Sequence, residues 1–225
     1  KLHIVPARTG LDWVRQGIQV FWRQPLPLAV LFCMTTAIMF LLSAIPNIGS
    51  VIALALQPSI TLVMMLAAAE VSQGRPPVPS LLFAPFRSGA ARTRSLLILG
   101  AIYAALFLLI MAIAALFDDG KLAQTALSEE EITKVVAQNP SLLSPLVFAA
   151  LYTPLSLLFW HAPGLVYWHN VPPVKALFFS IVACMRNLGA FTLFGIAWLG
   201  VFLMAGAALS FVVLILKSAG LSASV

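Results

Sequence analysis

Charge is scarce in this sequence. Charged residues make up 9% of its 225, and only seven are acidic. Histidine occurs three times and cysteine twice. So small a stock of acids, bases and thiols leaves little from which to build a catalytic or metal-binding centre. No Walker loop, nucleophile elbow, zinc motif or redox C-x-x-C occurs, and no cofactor motif. The scarcity sharpens inside the apolar runs, whose central thirds contain no Asp, Glu, Lys, Arg or His. Groups of that kind mark ion paths, proton relays and voltage sensors. Their absence argues against a proton- or sodium-coupled pump, but leaves room for passage of an apolar molecule. Cys33 and Cys184 do not suggest a disulfide, since both fall toward the basic, reducing side. No cleavable signal pattern precedes the first apolar run. The first residue is Lys rather than Met, so the natural chain is expected to begin earlier.

Apolar sequence is what the chain has in abundance. Hydrophobic residues are 61% of it, more than a soluble domain of this length can hide, so lipid is the solvent. The runs are about 20 residues long and do not alternate, which means helices rather than barrel strands. Five are long enough to span: Pro27 to Ile45, Val51 to Ala69, Ser95 to Phe117, Leu143 to Phe159 and Ala190 to Leu216. The expected fold is an all-α polytopic transmembrane helix bundle, one membrane domain over residues 1–225. Pro58 and Pro154, inside the second and fourth spans, are expected to kink them. The closing "KSAGLSASV" reads as the start of a loop, and a sixth helix is expected to follow it.

The thirteen basic residues set the orientation. With the N-terminus in the cytoplasm, the inside segments hold Lys1, Arg8, Arg15, Arg23, Arg75, Arg87, Arg92, Arg94, Lys175 and Arg186. The outside segments hold Lys121, Lys134 and Lys217. Ten against three follows the positive-inside rule. The net charge of +6 is thus a topology signal and a match to anionic lipid on the cytoplasmic face, not a sign of nucleic acid.

Three basic, proline-flanked segments each precede a span. In "TGLDWVRQGIQVFWRQPLPL", Leu11, Val14, Ile18, Phe21 and Trp22 recur at helical spacing. Thr9 and Asp12 fit a capped start there, and Pro25 stops the helix. In "PPVKALFFSIVACMRNLG", Val174, Leu177, Phe178, Ile181, Val182 and Met185 form one apolar stripe. "PPVPSLLFAPFRSGAARTR" is shorter and broken by Pro85. Each is expected to be an amphipathic helix lying in the cytoplasmic interface. An interfacial helix followed by a transmembrane hairpin would then recur three times.

Three stretches, "LHIVPARTGLDWVRQGIQVFWRQPL", "AAAEVSQGRPPVPSLL" and "LLFWHAPGLVYWHNVPPVKALFFSIVACMRN", resemble a family of uncharacterised polytopic inner-membrane proteins, mostly betaproteobacterial. The resemblance covers nearly the whole chain. It implies a multi-helix bacterial inner-membrane protein with a further C-terminal helix, and it supplies no activity.

Few side chains qualify as candidate functional residues. His161 and His169 lie where the fourth span ends, beside Trp160 and Trp168. On an unbroken helix they would stand roughly 12 Å apart along the axis, too far to share one metal with bonds near 2 Å. Pro163-Gly164 is expected to interrupt that helix. Interfacial anchoring explains the two Trp-His pairs better than a ligand or proton role. Glu70 and Arg75 read as a local ion pair at the end of the second span, or as part of a cytoplasm-facing cavity with Gln57. Gln57 is the principal polar side chain inside a span, and an amide bonded to a neighbouring helix accounts for it. Small-xxx-small spacing predicts close helix contacts at Gly100 with Ala104 and at Gly206 with Ser210. The loop 118–142 is expected on the periplasmic side, with Ser128 and Glu131 as a capping box and Asp118-Asp119 as part of an acidic cap. The expected function is a non-enzymatic accessory subunit or scaffold that packs against other membrane-protein subunits. The alternative is a transporter or channel-like protein for a lipid or small neutral solute.

Overall fold

The computed structural model describes residues 3–117 and 143–218. The expected periplasmic loop and its capping box therefore lie outside the described residues. So does the stretch after residue 218. Nine α-helices occur among the described residues: α1 Thr9–Arg23, α2 Pro25–Ser43, α3 Gly49–Ser72, α4 Ala84–Arg87, α5 Ala90–Ala115, α6 Leu143–Phe159, α7 Ala162–His169, α8 Pro173–Arg186 and α9 Leu188–Ser218. A 3-10 helix, Pro79–Phe83, precedes α4. Five stretches are long and apolar enough to cross a membrane: α2, α3, α5, α6 with α7, and α9. The protein is an all-α polytopic membrane protein.

Span boundaries follow hydropathy closely, with two departures. The fourth stretch runs on through α7 to His169 rather than ending at Phe159. The third span, α5, starts at Ala90 rather than Ser95 and so includes Arg92 and Arg94. Arginine is a good helix former, so the helix continues outward past the point where the chain turns apolar. Pro25 ends α1 and opens α2, where its missing N–H costs no bond. Pro58 and Pro154 sit inside α3 and α6, and each helix is assigned continuously through its proline. The segment expected to be the second interfacial helix changes from 3-10 to α next to Pro85, which stands in the first turn of α4. That segment is a five-residue 3-10 helix followed by a four-residue helix, shorter than its counterparts α1 and α8.

Contacts divide the chain into two compact units. In the larger, Val20–Ala183, α3 and α5 are central: α2 packs on α3, α6 packs on α5, and α7 touches both. Leu62 and Leu66 of α3 meet Leu96, Leu99 and Tyr103 of α5 in one cluster with Leu155, Phe159 and Val166. Leu28 and Leu31 of α2 meet Val63, Ala67 and Val71 of α3 in a second. Lipid tails are as apolar as leucine, so close packing rather than water exclusion must hold these helices together. Gly100 supplies the tightest approach, since a Cβ there would overlap the Ala55 carbonyl oxygen. Ala104 beside it is buried, so the expected close contact is present. At Gly206 nothing among the described residues stands within 4 Å of where a Cβ would be, and spacing alone does not provide a neighbour.

The smaller unit joins residues 1–19 to the stretch from Cys184 onward. Asn187 clamps the entering chain: its Oδ1 accepts the Val5 N–H at 2.8 Å and its Nδ2 donates to the His3 carbonyl at 3.1 Å. Gly10 lets α1 come against the backbone of Ala190 and Phe194 on α9. Trp13 then packs edge-on against Phe191, with ring centroids 5.3 Å apart, and against Phe194 at 6.3 Å.

Candidate functional site

Glu70 and Arg75 are brought together by the way α3 ends. Gly74 takes φ +77°, a conformation that favours glycine. The N–H groups of Gly74 and Arg75 thereby turn back onto the carbonyls of Val71 (3.0 Å) and Glu70 (2.9 Å). This reversal lays the arginine over the carboxylate: Nη2 donates to Oε1 at 3.0 Å and Nε to Oε2, while Nη2 also reaches Gln73 Oε1. The hydrogen bond to Glu70 holds the Arg75 guanidinium charged to still higher pH than usual. The pair is solvent-facing and contributes little to stability.

Gln57 is not part of that arrangement. It lies 13 residues earlier on α3, about 20 Å along the axis and on the opposite face. It is exposed, its carbonyl accepts the Thr61 hydroxyl at 3.0 Å, and its side chain makes no hydrogen bond among the described residues. The expected amide bond to a neighbouring helix is therefore missing.

His161 and His169 stand at the two ends of α7. The interruption falls at Trp160-His161, three residues before the expected place, because Pro163 fits the first turn of the new helix. At the break, Ser180 of α8 serves both the His161 N–H and the Leu157 carbonyl. The His161 N–H donates to Ser180 Oγ at 3.0 Å, and Ser180 Oγ donates to the Leu157 carbonyl at 2.8 Å. Trp160 and Trp168 are exposed, at 39% and 49%, as residues facing an interface would be. α7 ends at Asn170, in the left-handed region at φ 55°. The Asn170 Oδ1 accepts Arg92 Nε at 3.0 Å, tying the first turn of α5 to this corner.

Within Val20–Ala183 the described charges are Arg23, Arg75, Arg87, Arg92, Arg94 and Lys175 against the one carboxylate of Glu70. All lie at the end where α2 and α5 begin and α3 finishes. A groove with a volume of ≈ 320 Å³ opens there between Leu26, Pro27, Val30 and Leu31 of α2 and Pro77 and Pro79. Three of those six residues are prolines, so much of its wall has no backbone N–H to offer.

Sequence reasoning missed Ser180, Asn187 and Asn170. Their partners are 19 to 184 residues away, and periodicity carries no trace of them. The apolar stripe foreseen on α8 is also split. Leu177 is buried, whereas Val174, Phe178 and Met185 are 71%, 61% and 57% exposed. Small residues, Ala176, Ser180 and Cys184, fill the buried face instead. Their four-residue spacing was the available signal. Burial pushes the Cys184 thiol up to about 11.

No family model matches the chain, and no solved structure matches it. The chain is 41% identical over 198 residues to a probable inner membrane protein of Burkholderia thailandensis, covering 86% of this chain and 73% of that protein.

Proposed function

Given that the chain belongs to the family of that probable inner membrane protein, we propose that it is a non-enzymatic accessory subunit or scaffold of the inner membrane. In this reading the N-terminus is cytoplasmic. α1 and α8 are amphipathic helices lying in the cytoplasmic interface, where the arginine-rich end meets anionic headgroups. The observation that carries the reading is α9. The most hydrophobic part of Leu188–Ile215 has none of its residues buried, and Gly195, Gly200 and Gly206 all face open space. Glycine in a spanning helix usually serves close packing against another helix. Within its own unit α1 meets α9 at Ala190, Phe191 and Phe194, and in this reading the rest of the helix receives a partner subunit.

Photo-cross-linkers at Leu203 and Met204, used in native membranes, test this. A single partner protein is expected, retained on purification in nanodiscs and lost with Gly200→Leu. Adducts with lipid alone would count against it.

A second reading, transport of a lipid or small neutral solute, is favoured by the proline-walled groove at Leu26 and Pro77. Lipid transfer in protein-containing vesicles above the rate in empty ones would support that reading instead.

A further inference from the structure

Gln57 poses a problem that the described residues do not solve. It lies eight residues into α3, about 12 Å from the start of a 24-residue spanning helix. Between Ala53 and Val71 it is the one exposed residue. Its amide has two N–H donors and an acceptor oxygen, and hydrocarbon satisfies none of them. The next residue adds to the demand, because Pro58 has no N–H to give the Leu54 carbonyl one turn back. The opposite side of the helix is committed, with Ala55 against Gly100 of α5 and Leu62 and Leu66 in the core.

Gln57 belongs to a regular seam. Ser50, Leu54, Gln57, Thr61, Met64 and Ala68 follow one another at alternating intervals of four and three residues. That is the period by which one helix keeps a single face against another over its whole length. None of the six is fully buried among the described residues, though Leu54 packs in part against the core. Three are the small residues Ser, Thr and Ala, which let backbones come close in lipid.

We propose that this seam joins two copies of the protein, α3 against α3, with the two Gln57 amides bonded to each other. Every copy is inserted in the membrane in the same sense, so a two-fold axis along the membrane normal brings each residue opposite itself at equal depth. An amide is self-complementary, since each Gln57 can donate to the oxygen of the other. A polar residue at one seam position also fixes register and the number of helices, as a buried asparagine does in coiled coils. The inference does not depend on the partner proposed for α9.

Single cysteines test it in a background where Cys33 and Cys184 are Ser. Leu54→Cys, Gln57→Cys, Thr61→Cys and Met64→Cys should oxidise in native membranes to a band of twice the protomer mass. Ser59→Cys and Leu62→Cys, on the buried side, should not. In mild detergent, Gln57→Leu should lower the dimer fraction at least about tenfold at limiting concentration, and Gln57→Asn should retain most of it. A monomeric parent would overturn the proposal. So would a dimer unaffected by Gln57→Leu, or a position-57 cross-link to another protein or within the same chain.

Discussion

Ser180 holds His161 by the main chain and not by the imidazole. Its hydroxyl accepts the His161 N–H and donates to the Leu157 carbonyl, bridging α6 and α7. Ser180 is fully buried, so removing the hydroxyl takes a bond from a donor and from an acceptor at once. Ser180→Ala should cost about 1–3 kcal/mol in an unfolding equilibrium in mixed micelles. A change of only a few tenths would mean that water replaces the hydroxyl.

The same relationship bears on the histidines. A His161→Gln, His169→Gln double variant keeps the backbone bond and side-chain hydrogen bonding but removes metal ligation. It should insert, assemble and melt like the parent. Stoichiometric metal in the purified parent, absent from the double variant, would show that anchoring is not their whole role.

Gly100 and Gly206 should respond in opposite ways to one substitution. Gly100→Leu drives a side chain into the Ala55 backbone and should destabilise by about 1–3 kcal/mol or more. Gly206→Leu meets open space and should leave the melting temperature of the isolated protein unchanged. Thermal scans in one detergent compare them directly.

Cys184 should resist modification in the folded protein. Its thiol is raised to about 11 by burial, so the reactive thiolate is scarce at pH 7 and still a minority at pH 9. Maleimide should label it only after denaturation. Labelling at neutral pH at the rate of a free thiol would show that the α8 face opens.

For orientation, a single cysteine replacing Asn47, in the turn between α2 and α3, should label from outside the cell. One replacing Ser88, before α5, should label only after permeabilisation. The reverse pattern would invert the proposed topology.

The spans were legible because lipid imposes a length and a composition that no side-chain detail can hide. Arg92 and Arg94 show the limit of that signal, which locates the lipid boundary while the helix itself runs past it to Ala90. The Glu70–Arg75 pair was legible because both partners belong to one helix end. Gln57 was legible as a polar anomaly, but its missing partner could be recognised only once the neighbouring helices were in place. Asn187 and Ser180 were silent, since what they hold arrives from distant parts of the chain.

The clamp at Asn187 has a consequence for biogenesis. The amide that fastens His3 and Val5 is about 180 residues downstream of them. At a synthesis rate of ~5–20 residues per second, that separation is on the order of 10–40 s. For that interval α1 has no α9 against which to set Gly10 and Trp13. The segment that leads into α1 must therefore wait, undocked, until the four membrane-crossing segments between it and α9 have been made.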